Sequence, residues 1–202
     1  MTQTRPAAGL FALGVLCAGP AAAVDVTAEL TVGIRSHPED GRYAGQPGAG
    51  AQFFVGTEIA AAARAGAGDL SFRFAARADT AGARDLFNLK EAHYTQSFGS
   101  WDLLAGVDIR PWGVAESRSV LNVLNPRDET DPVQGGGVLG TPMLNANIHT
   151  GFGTLGAYAL LGFVPPNLPA AATRQRAPWP AAPDRALYDE GDGRHVDIAL
   201  RW

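Results

Sequence analysis

Between residues 69 and 79, Asp69, Ser71, Arg73, Arg77 and Asp79 fall on odd positions and apolar side chains fall between them. On an extended backbone, alternate side chains share a face, so this spacing sets fixed guanidinium and carboxylate groups in one row. Such a row acts on a passing solute through its field, without making bonds. Glu29, Arg35, Glu58, Glu91, Asp102, Asp108, Arg110, Asp197 and Arg201 occupy equivalent positions elsewhere in the chain. With Arg73 and Arg77 they are the candidates to line an aqueous path. Opposed rows of arginine and carboxylate would favour small polar or zwitterionic solutes. A second group, Glu116, Arg118, Arg127, Asp128, Glu129 and Asp131, lies in the irregular segment 111–142. Folded inward, these residues would form a mixed-charge constriction; left outside, they belong to an ordinary solvated loop.

Other chemistry has less support. His93, His149 and His195 share the polar parity with Ser97 and Asp197, the raw material of a hydrolase, but no G-x-S-x-G motif is present. No group has metal-ligand spacing, and the DETD run lacks the glycine and closing glutamate of a calcium loop. We assign no catalytic residue, metal or cofactor. An acidic chain with one lysine, Lys90, is also a poor nucleic-acid partner.

The elements that would position these charges are β-strands. Over residues 25–35, Val26, Ala28, Leu30, Val32 and Ile34 oppose Asp25, Thr27, Glu29, Thr31 and Arg35. Further strands are expected at 51–63, 69–79, 87–98, from 101 onward, at 143–152, at 154–164 and from about 194. The strand at 87–98 is less regular, and that at 154–164 is apolar enough to hide its facing. Most approach the roughly 9–11 residues that a tilted strand needs to cross a bilayer. Connections alternate in length: 36–50, 111–142 and 165–193 are long, while those near Gly66, at Gly99-Ser100 and at Gly153 are tight. Short turns on one side and long loops on the other mark an outer-membrane β-barrel. A soluble β-sandwich is the rival, with the same apolar face packed between two sheets.

Residues 1–23 carry Arg5, an apolar stretch at 7–18 and Ala21-Ala22-Ala23, the pattern of an export signal ahead of a barrel domain at 24–202. A transmembrane helix is the competing interpretation, because no charge separates Pro6 from Val24. A lipid anchor on Cys17 is disfavoured by Leu16 before it. Loss of Arg5 with the leader takes the formal charge from −4 to −5 and leaves no cysteine. A mean hydropathy of −0.02 fits a chain whose strands are half polar.

The strand SWDLLAGVDIRPWG, the loop VAESRSVLNVLNPRD and the strand LGTPMLNANI occur in that order. They resemble a poorly characterised family of porin-like outer-membrane proteins of Gram-negative bacteria, over about residues 88–202. The resemblance implies an antiparallel up-and-down transmembrane barrel and passive or weakly selective solute passage, with no catalytic residues to carry over. It also implies an N-terminal half, because family chains continue beyond ALRW. Val196, Ile198, Leu200 and Trp202 nevertheless look like the terminal signal read by the barrel insertion machinery. About eight strands are therefore expected as part of an incomplete barrel, with a short helix at 114–124 in the long loop. A closed eight-stranded barrel would be filled by its own side chains and serve a structural or adhesive role. An outer-membrane lipid hydrolase would need its site on the lipid-facing side, which the polar parity of the histidines opposes.

Overall fold

The computed structural model describes residues 23–82, 84–110, 112, 124–130, 137–170, 173–174 and 196–202. Residues 1–22 of the expected export signal, residues 114–123 of the helix expected at 114–124 and the candidates Glu116, Arg118, Asp131 and His195 lie outside the described residues. Among the described residues ten strands are formed: β1 (Val24–His37), β2 (Gly50–Ala65), β3 (Gly68–Asp79), β4 (Leu86–Phe98), β5 (Trp101–Asp108), β6 (Arg127–Asp128), β7 (Gly137–Val138), β8 (Thr141–Thr150), β9 (Gly153–Leu161) and β10 (Val196–Arg201). Eight of them build one antiparallel meander in the order β1-β2-β3-β4-β5-β8-β9-β10, and β6 and β7 form a small ribbon of their own. Among the described residues the meander does not close: β1 and β10 each have one neighbour. No helix among them is long and apolar enough to cross a membrane.

The alternation in the sequence fixes the two faces because the register keeps like with like. Val26 faces Ala61, Ala28 faces Ile59, Val32 faces Val55 and Ile34 faces Phe53. The same row continues through Phe72–Ala92 and Leu70–Tyr94, Phe98–Trp101 and Leu144–Ala159 to Ile198 and Leu200 of β10. A slip of one residue would turn every strand inside out. In β9, where the sequence leaves facing open, Leu155, Ala157, Ala159 and Leu161 take the apolar side, while Tyr158 and Leu160 take the other.

The apolar side has no cover among the described residues. Leu30 and Val32 are each 72 % exposed, Ile198 77 %, Phe87 81 % and Phe152 91 %. Large apolar side chains from all eight sheet strands are exposed in this way. The sandwich expectation needs a second sheet on this side, and none is formed there among the described residues. Aromatic residues gather at its margins. Phe98, Trp101, Phe152 and Trp202 lie toward the short turns, and Phe53, Phe87 and Phe163 toward the long connections.

Two tight hairpins are built on glycine at the first turn position, Gly66 (φ 62°) and Gly99 (φ 65°). This is the II′ geometry, whose twist matches that of the flanking strands. Most strand limits depart from expectation by only one or two residues; β5, however, ends at Asp108, leaving Arg110 just beyond the ladder.

Candidate functional site

The polar face carries the charged rows, and one irregularity decides how they meet. Between Arg73 and Phe74 the β3–β4 register shifts, so that Arg73 pairs with Glu91 but Phe74 with Leu89. Lys90 is the extra residue of a β-bulge. The bulge explains the irregular alternation of β4 and lets Lys90 join Glu91 on the polar side. Lys90 Nζ lies 2.5 Å from Glu58 Oε2, Arg73 Nη1 lies 3.7 Å from Glu58 Oε1, and Arg73 Nε lies 3.2 Å from Glu91 Oε1. Sequence reasoning placed Glu58, Arg73 and Glu91 on this face but missed Lys90, because a bulge cannot be seen from parity within one strand.

Beside this network lies a tighter cluster. His93 Nδ1 is 3.5 Å from Asp108 Oδ1, and Arg110 Nε contacts Asp108 Oδ2. Gly106 faces His93 across the ladder at φ +135°, and a Cβ there would meet the Ala92 carbonyl at 2.2 Å. Glycine is thus required for the strands to approach at His93. Glu91, His93 and Asp108 present ligand atoms within 4.8 Å of one another. A divalent cation would have to displace Arg73 from Glu91 and Arg110 from Asp108, so the charges are already balanced without one.

A third constellation sits toward the short turns. Ser97 Oγ donates to Asp102 Oδ1 at 2.6 Å, His149 Nε2 lies 2.5 Å from Asp102 Oδ2, and His149 Nδ1 lies 3.1 Å from Thr154 Oγ1. Ser97 donates to the carboxylate and not to the imidazole, so serine and histidine are not paired as nucleophile and base. The arrangement works as a polar tie across β4, β5, β8 and β9.

The described residues of the connection between β5 and β8 pack against the polar face. Leu124 packs with Leu104, Met143, Tyr158 and Leu160 in a buried cluster, with Trp112 and Ala199 against it. The Trp112 and Tyr158 rings meet edge to face at 5.5 Å. The neighbouring Asn125 is buried and fully engaged. Its Nδ2 faces the Asp108 and Leu139 carbonyls and Thr141 Oγ1, and its Oδ1 accepts the Arg110 amide. Farther along, Arg77 Nη2 donates to Thr130 Oγ1 at 2.8 Å and lies 4.0 Å from Asp128 Oδ2. Thr130 Oγ1 in turn donates to Asp128 Oδ1 at 2.7 Å. Arg127 pairs with Glu129 at 2.9 Å, both half-buried.

The eleven wall candidates are therefore not one continuous lining. Glu58, Arg73 and Glu91 form one network, and His93, Asp108 and Arg110 a second beside it. Arg77 holds the loop, Asp102 belongs to the rim tie, and Glu29 and Arg35 lie on the outer strand β1. Asp197 and Arg201 lie on β10, with the Arg201 guanidinium 5.9 Å over the Trp112 ring. Sequence reasoning missed Asn125 and the apolar patch on the polar face. Asn125 lies just past the expected helix in an irregular segment, and Leu104 and Tyr158 stand in strands apolar enough to hide which face they take. No family model, curated protein or solved structure matches the chain.

Proposed function

We propose that the chain forms the wall of a porin-like β-barrel in the outer membrane of a Gram-negative bacterium, exported by its leader and inserted by the barrel machinery. The observation that carries this is the uncovered apolar face of an eight-stranded antiparallel meander whose other face is charged. Burial of one Leu, Ile, Val or Phe side chain is worth about 1.5–3 kcal/mol. A face of such residues on all eight strands needs a cover, and acyl chains supply it without a second protein layer. Aromatic side chains at both margins suit the headgroup levels. The resemblance to porin-like proteins points the same way.

In lipid, the unpaired edges of β1 and β10 would each leave backbone N–H and C=O groups without partners, at several kcal/mol apiece. We therefore take the meander as one arc of a wider barrel, in which the polar face borders water and passes small polar solutes. A silent structural barrel is the second interpretation, favoured by the apolar cluster that anchors the loop across the polar face. Conductance in planar bilayers separates the two. Steady channels are expected of a conduit, and a folded, membrane-inserted protein without conductance would remove it.

A further inference from the structure

The connections at the long-loop end of the sheet are stitched to one another. Arg77 on β3 starts the chain of contacts. Its Nε donates to the Arg84 carbonyl at 2.8 Å and its Nη2 to Thr130 Oγ1 at 2.8 Å, tying the β3–β4 connection to the β5–β8 connection. Backbone bonds carry the stitching on to the β9–β10 connection. The Glu129 amide donates to the Asn167 carbonyl at 2.7 Å, and the Asn167 amide to the Arg127 carbonyl at 3.1 Å. The last joint reaches the β1–β2 connection. Gln46 Nε2 donates to the Thr173 carbonyl at 2.8 Å, and Arg174 Nη2 to the Gly48 carbonyl at 2.6 Å. Gln46 is set for this contact, because its Oε1 accepts the Tyr43 amide at 2.9 Å.

These partners lie 127 and 126 positions apart in the chain. In the sheet order β2 and β9 are five strand spacings apart, about 24 Å measured along the sheet. Curling of the sheet and bridging by the connections both narrow the polar side at this end. Arg77 has polar parity and Leu124 packs on polar-face residues, so the band runs over that face. It is no solvated fringe either. Arg84, Asn125, Asp128, Thr130 and Thr173 are all buried within it. Buried polar groups that bond to one another hold a segment in one shape.

We propose that this band is the size filter of the conduit, with Gln46 and Arg174 as the clasp that holds it together. The proposal rests on the porin-like interpretation above, under which a solute following the charged rows passes beneath the band. The clasp is its weakest joint. The Asn167 joint is a pair of backbone bonds beside the buried Asp128, whereas the clasp is two side chain-to-carbonyl bonds, that of Arg174 exposed to solvent. Water competes for such bonds, so their net worth is small. Loss of both side chains should therefore part the band and leave the sheet intact.

The test uses the full chain reconstituted in lipid vesicles, with swelling as the readout for uptake of glucose, sucrose and raffinose. Wild type should admit glucose far faster than raffinose. The double variant Gln46→Ala/Arg174→Ala should raise the raffinose-to-glucose rate ratio at least severalfold. Arg64→Ala, which removes an exposed ion pair with Asp69 at the short-turn end, should match wild type. All should show the heat-modifiable folded band. A short bismaleimide joining Gly48→Cys to Arg174→Cys should restore the wild-type ratio. An unchanged ratio in the double variant, with glucose still entering, would overturn the filter and leave the conduit standing. Vesicles that admit no glucose with either the wild type or the double variant would remove the porin-like interpretation, and the filter with it.

Discussion

At the scale of single residues, Arg77 and Asn125 do most to hold the loop. Removing Arg77 strips Thr130 of a donor and leaves the buried Asp128 carboxylate without its neighbouring cation. An uncompensated buried charge costs about 3–5 kcal/mol, so Arg77→Ala should release residues 127–130 while the sheet persists. Amide exchange at those residues should speed up by orders of magnitude with β1–β3 unchanged; equal protection in both proteins would contradict the latch. Asn125→Ala should loosen the same loop by about 1–3 kcal/mol through the orphaned carbonyls, read as faster proteolysis within 111–142. Gly106→Ala places a methyl against the Ala92 carbonyl and should abolish the heat-modifiable folded band. None of these three residues announces its role in the sequence. Gly106 is defined by what lies across a ladder, Asn125 by the ends of β5 and β8 that it ties, and Arg77 by a loop some fifty positions away.

At the scale of elements, the faces were legible and the register was not. Alternation within 25–35 or 69–79 needs no partner to be seen, and the observed pairing keeps those residues on one side. The β4 bulge exists only in relation to β3. Without Lys90, Glu91 would follow Leu89 and the β3–β4 ladder would run without interruption. Deleting Lys90 should therefore give a protein that folds, with Glu58 deprived of one cation. Deleting Ala92 instead would absorb the bulge by turning the Glu91 carboxylate onto the apolar face, and should lower the yield of folded protein. Equal heat-modifiable yields from the two deletions would show that the bulge does not set the register. The loop's docking was equally hidden, because a short apolar run ending at Leu124 does not say which surface it will meet. Leu124→Asp would set a charge among Leu104, Met143, Tyr158 and Leu160. It should expose 111–142 to protease, while the rest of the sheet resists.

At the scale of the whole molecule, the central claim is that greasy side chains face acyl tails and ionic ones face water. Spin labels placed singly along β1 of the membrane-reconstituted protein test it most directly. Collision with oxygen, which concentrates in lipid, should peak at positions 26, 28, 30, 32 and 34. Collision with a water-soluble nickel chelate should peak at 27, 29, 31, 33 and 35. A label at Leu30 or Val32 that collides with the chelate as freely as one at Thr31 would contradict the account.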